Sequence, residues 1–198
     1  MSGRISSSKK EAKIAIFFIW SMLITFPAMI ALGEYMENSI AADVDMLFVL
    51  LISLAVLALA CVLLASVVVF IIWFYKAYSI LDEKTPNLKY KKSLAVWSWI
   101  IPVVNFYLPY LLLKDMYKNI AILTNDSEVE KSFKKLTALN IWWAIYILGW
   151  ILDIGYYAAI YPDSSMAFNI ITYLLIIPSV WLTVKIIRDY CELEAKLV

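Results

Sequence analysis

The sequence predicts an all-α polytopic membrane protein with four transmembrane helices and a central re-entrant or interfacial helical segment. Three observations predict it. The composition is 64% hydrophobic, with a mean hydropathy of +0.81, where soluble domains are about half apolar. The apolar residues are gathered into long uncharged runs of membrane-crossing length. The charges are segregated: the loops that would lie on one side carry acids only, and every Lys and Arg lies on the other. A single membrane domain over residues 1–198 accommodates all of this, with spans at about 14–32, 46–75, 136–161 and 166–184 and the central segment at 94–123.

The first thirteen residues are polar and basic, with Arg4, Lys9, Lys10 and Lys13. Ile14 to Leu32 follows without a charge. Its basic start and Ala31-Leu32-Gly33 end also fit a secretory signal peptide, but the run is longer than the roughly 7–15 residues of a signal core, so an uncleaved span is expected. Pro27 is a kink site whose freed carbonyl a neighbouring helix can satisfy. Glu34, Glu37, Asp43 and Asp45 make the next loop purely acidic.

Met46 to Tyr75 is again uncharged, and longer than the roughly 20 residues a crossing needs, so this helix tilts or projects. Ala58, Cys61 and Ala65 place small side chains on one face, which either admits a neighbouring helix or reflects the abundance of alanine. Trp73-Phe74-Tyr75-Lys76-Ala77-Tyr78 has the aromatic and cationic composition of a headgroup boundary. Asp82 to Lys92 is a basic loop, turned at Thr85-Pro86-Asn87.

The stretch from Trp97 to Tyr110 is apolar enough to enter a bilayer, yet holds Pro102, Asn105 and Pro109. Treating it as a fifth span moves five lysines, Lys114 to Lys135, to the acidic side. With four spans and both ends cytoplasmic, all 17 Lys and Arg are cytoplasmic. The stretch is therefore expected to dip in and return as a helix–turn–helix among the spans. Tyr110 to Leu123 reads as an amphipathic helix. Lys114, Asp115, Lys118 and Asn119 lie on one face and Leu112, Leu113, Met116, Tyr117 and Ile120 on the other, suited to lying in the interface with the apolar side down. Thr124-Asn125-Asp126 breaks the pattern, and Ser127-Glu128-Val129-Glu130 is a capping box for the third span. Tyr161 to Ser165 turns the chain into the fourth span, with Pro178 a second kink site.

Chemistry is sparse in this pattern. There is no histidine, which removes the usual general base and the commonest metal ligand. Cys61 and Cys191 read as free thiols. Four glycines offer no phosphate-cradling loop. A net charge of +1 gives no case for nucleic acid. No cofactor or metal is called for, and a non-enzymatic protein is expected. Asn105 reads either as a ligand-binding amide or as the cap of the turn its prolines open. Lys76 reads as a lipid-phosphate contact or a snorkelling cation. Asp153 is the one acid within a span. It is a functional suspect by that placement, or an interfacial acid, since it lies roughly 27 Å along the helix from Lys135. Asn140, Asn169 and Thr172 suit interhelical hydrogen bonds.

Two segments, Trp73-x-Tyr75-Lys76-Ala77-Tyr78 and Trp97-x-x-Ile-Ile-Pro102-x-x-Asn105-x-x-x-Pro109-Tyr110, resemble a family of small bacterial multi-pass inner-membrane proteins carrying a domain of unknown function. The resemblance covers roughly residues 69–118. It implies a bacterial inner-membrane location and singles out Trp73, Tyr75, Lys76, Trp97, Pro102, Asn105 and Pro109; it implies no activity. The expected role is a binding or accessory subunit of a membrane assembly. Its partners would be membrane lipids, including anionic headgroups, and a second membrane protein or further copies of the chain. Two other readings stand beside it: an oligomeric transporter or channel with Pro102–Pro109 lining the pathway, and a protective protein against a membrane-targeting toxin or phage.

Overall fold

The computed structural model describes residues 7–41, 45–85, 88–124, 129–157 and 165–197. Among them every regular element is helical: α1 (Lys9–Ala41), α2 (Met46–Lys84), α3 (Leu94–Ile100), α4 (Pro102–Asn105), α5 (Leu108–Leu123), α6 (Val129–Tyr157) and α7 (Ser165–Ala195). Three of these helices, α1, α2 and α7, are long and apolar enough to cross a membrane. The apolar part of α6 among the described residues is Leu136–Leu152.

The long helices outrun the spans predicted for them. Asp45 caps α2 by accepting the Leu47 N–H at 3.1 Å, and nothing breaks the helix for 39 residues. It ends where Pro86 forces the preceding residue out of the helical region, so Thr85 is extended at φ −134° and ψ 113°. Asp82 and Lys84, read as loop residues, thus belong to α2. Likewise α7 continues past Val184 through its charged segment to Ala195. The helices run through Pro27 and Pro178.

The central break is set by its prolines. Ile101, ahead of Pro102, is extended at φ −84° and ψ 113°, which stops α3. Pro102 then opens α4, and Pro109 sits in the first turn of α5, positions where a missing N–H costs nothing. The result is helix, bend, one helical turn, bend, helix.

In the packing, α1 and α2 form one antiparallel pair and α6 and α7 another, with α7 against α1. The Ser66 hydroxyl donates to the Phe18 carbonyl across the first pair at 3.1 Å. The α3–α5 segment fits between α2 and α6, and α5 also touches α7. Its apolar face is the one read from the sequence: Leu112, Leu113, Met116 and Ile120 are fully buried. What covers it is protein rather than lipid. The Tyr117 hydroxyl donates to the Ile186 carbonyl of α7 at 2.9 Å, and Tyr110 donates to Asn140 of α6 at 2.8 Å. Burial pushes the Tyr117 phenol well above its usual range, with Asp189 adding to the effect, so it stays a donor.

On the small-residue face of α2, Ala58 and Cys61 are exposed and Ala65 is half-buried among the described residues. The proposed turns at Pro86-Asn87 and at Tyr161 to Ser164, Asp43, the Asn125-Asp126 break and the Ser127 cap lie outside the described residues, as do the side chains of Glu34, Glu37, Asn169 and Asp153.

Candidate functional site

The residues singled out by sequence separate into three places. Trp73 is fully buried, in the C-terminal half of α2, its ring in an edge-type contact with Tyr190 at 6.1 Å between centroids. It is a core residue rather than a boundary aromatic. Lys76, one turn on, has a partner within the protein: its ammonium lies 2.6 Å from Glu11 of α1, with the Lys76 side chain still 34% exposed. Tyr75 and Trp97 point outward, Trp97 being 53% exposed. Pro102 is exposed while Pro109 is buried. Asn105 is within reach of the Tyr146 hydroxyl of α6. Its Oδ1 is buried without a hydrogen-bond partner, so it does not cap its own turn through that oxygen.

Sequence reading missed the residue that does face inward from the central stretch. Trp99 lies two positions, about 200° around a helix, from Trp97. It stands edge-on to Phe70 and Phe74 of α2 at 5.2 and 6.1 Å, and to Tyr146 of α6 at 6.5 Å. It bridges the two helices between which the break sits. Tyr146 continues the chain of rings to Trp143 at 4.8 Å and to Trp150 at 6.5 Å, and Trp150 meets Phe106 at 5.6 Å. Phe106 thus lies beside a residue fifteen positions along α6 from Lys135, so the break reaches roughly 22 Å along that helix.

Behind this aromatic bridge are two adjoining cavities. The inner one, about 180 Å³, has walls from α1, α2, α3, α6 and α7, including Met22, Phe70, Trp99, Trp142 and Ser179. The outer one, about 530 Å³, lies between α1, α6 and α7 and shares Met22, Tyr146, Ile176 and Ser179 with it. The outer space exists because α1 and α6 each pack on α7 without meeting one another among the described residues. Polar groups at the walls are largely satisfied within the protein: Ser66 donates to Phe18 and Val62 carbonyls, and Thr183 accepts from the Trp142 indole at 2.8 Å while donating to the Ser179 carbonyl. The Trp99 indole nitrogen is buried without a partner. Gly149 of α6 faces the outer cavity, and a Cβ added there would meet nothing within 4 Å.

A second constellation ties the ends of α1 and α7 beside Trp73 and Lys76. Ser8, fully buried, donates to Glu194 from its backbone N–H at 3.1 Å and its hydroxyl at 2.8 Å. Its carbonyl starts α1 by accepting the Ala12 N–H, so the hydroxyl that would cap the helix is drawn to α7 instead. Cys191 lies 3.9 Å from the same hydroxyl, and Lys84 donates to the Leu197 carbonyl at 2.7 Å. The described residues contain no cluster of ligands able to hold a metal ion.

Fold and site together define an all-helical protein of membrane type, built from long apolar helices around an aromatic-walled cavity. The chain belongs to the family described as Domain of unknown function (DUF4328), whose model matches residues 36–192 and so includes the segments that carried the resemblance. No curated protein and no solved structure matches it.

Proposed function

We propose that this chain is a non-enzymatic integral protein of the bacterial inner membrane, acting as a binding or accessory subunit of a membrane assembly. In this reading α1, α2, α6 and α7 all cross the bilayer, both ends are cytoplasmic, and α3–α5 is re-entrant, meeting lipid or partner. The observation that carries it is the wedging of the broken α3–α5 segment between α2 and α6. The break is thereby packed on one side against α2 and α6, through Trp99 and Phe106, while Ile101, Val103 and Tyr107 stay exposed to lipid or partner. The exposed lysines Lys89, Lys91 and Lys92 would face anionic headgroups on the cytoplasmic side. The accessory role is preferred to a transport pathway along Pro102–Pro109 because neither cavity described above is lined by that segment.

The test is affinity purification from the native host in mild detergent, with masses taken of all that stays bound. A stoichiometric second membrane protein is expected. A lone chain whose reconstituted vesicles pass ions or small solutes would overturn the accessory reading. Topology is checked with a cysteine at Asn105: ready labelling from the outer face would exclude the cytoplasmic dip.

A further inference from the structure

We infer that the adjoining cavities bind one hydrocarbon chain of a membrane lipid, inserted sideways between α1 and α6. The inference rests on the membrane-spanning part of the reading above and names the ligand class of its site.

Four observations carry it. The outer cavity lies where α1 and α6 part among the described residues, with Phe26, Leu152 and Thr172 among its walls. Phe26 and Thr172 lie within the two spanning-length helices α1 and α7, so bilayer chains are what surrounds this gap. Along α7 the lining runs from Thr172 to Thr183, a track of about 16 Å, long enough to hold much of a single chain. The Ser66 and Thr183 hydroxyls already have protein partners, which leaves the Trp99 indole N–H as an unpartnered donor on a wall that is otherwise mostly apolar, a poor host for water. Finally, Gly149 leaves the α6 wall open where any ordinary side chain would enter the outer cavity. Together the volumes fall in the range of small-molecule sites.

The test uses the full chain in vesicles of phosphatidylethanolamine and phosphatidylglycerol, doped with a phospholipid carrying a mid-chain diazirine. After photolysis, adducts are mapped by mass spectrometry. Phe70, Trp142 and Val180 line the inner cavity and are buried, so labelling there requires a chain to enter. Ile24 and Leu64 are exposed and report ordinary contact with the bilayer. The expected result is adducts at both sets in the native protein. Gly149→Leu and, separately, Ser179→Leu should lose the buried adducts and keep the exposed ones, while Gly33→Leu, whose added Cβ also meets nothing within 4 Å, should behave as native. The inference is overturned if the buried residues stay unlabelled in the native protein, or if their labelling survives both filling substitutions. A stoichiometric protein partner with unlabelled cavity residues would leave the accessory role standing and remove this one; labelled residues with no partner would do the reverse.

Discussion

The backbone N–H and the hydroxyl of Ser8 converge on a single oxygen of Glu194, joining the first turn of α1 to the last turn of α7. Glu194 is only 2% exposed, so its removal leaves two buried donors with neither partner nor water. Glu194→Ala is expected to lower unfolding stability by about 2–3 kcal/mol and Ser8→Ala by about 1 kcal/mol, read by thermal or denaturant melts in detergent. Glu194→Gln retains an acceptor and should fall between native and alanine. Equal melting of native and Glu194→Ala protein would show that the latch contributes nothing.

Lys76 and Glu11 should behave as a coupled pair rather than as a lipid contact. In a double-mutant cycle of Lys76→Met and Glu11→Gln, the coupling is expected at about 0.5–1 kcal/mol, modest because water still reaches both groups. Strictly additive single effects would contradict the pairing.

The two tryptophans singled out by sequence should differ sharply. Trp73→Ala empties a fully buried site and is expected to cost about 3–5 kcal/mol. Trp97→Ala removes an outward-facing ring and should stay within about 0.5 kcal/mol of native. Comparable losses in the two variants would mean that Trp97 is covered.

Asn105→Ala deletes an oxygen that is buried without a partner together with the amide within reach of the Tyr146 hydroxyl, and is expected to change unfolding stability by no more than about 1 kcal/mol. If that variant still loses whatever co-purifies with the native chain, Asn105 is a contact residue; a large fall in melting temperature would instead assign it to structure.

Helix class, the apolar face of α5 and the proline-set break were all legible locally, because periodicity and proline chemistry act within a few residues. Trp73 was legible only in part: aromatic residues beside a lysine have the same composition in a buried core as at a headgroup boundary, and only the approach of Tyr190 decides between them. The Lys76–Glu11 and Ser8–Glu194 contacts join residues 65 and 186 positions apart, beyond any local pattern. Trp99 could have been found from its 200° offset to Trp97. The cavity could not, since it arises where α1 and α6 do not meet among the described residues.

The same separation of Ser8 from Glu194 sets a timetable. At about 5–20 residues per second, Ser8 is made roughly 10–40 s before its partner. Through that interval the α1–α2 pair must hold by its own contacts, among them Ser66 with Phe18 and Lys76 with Glu11, while the buried position awaiting Glu194 stays open. A chain stalled before α7 is complete therefore presents an unlatched first helix.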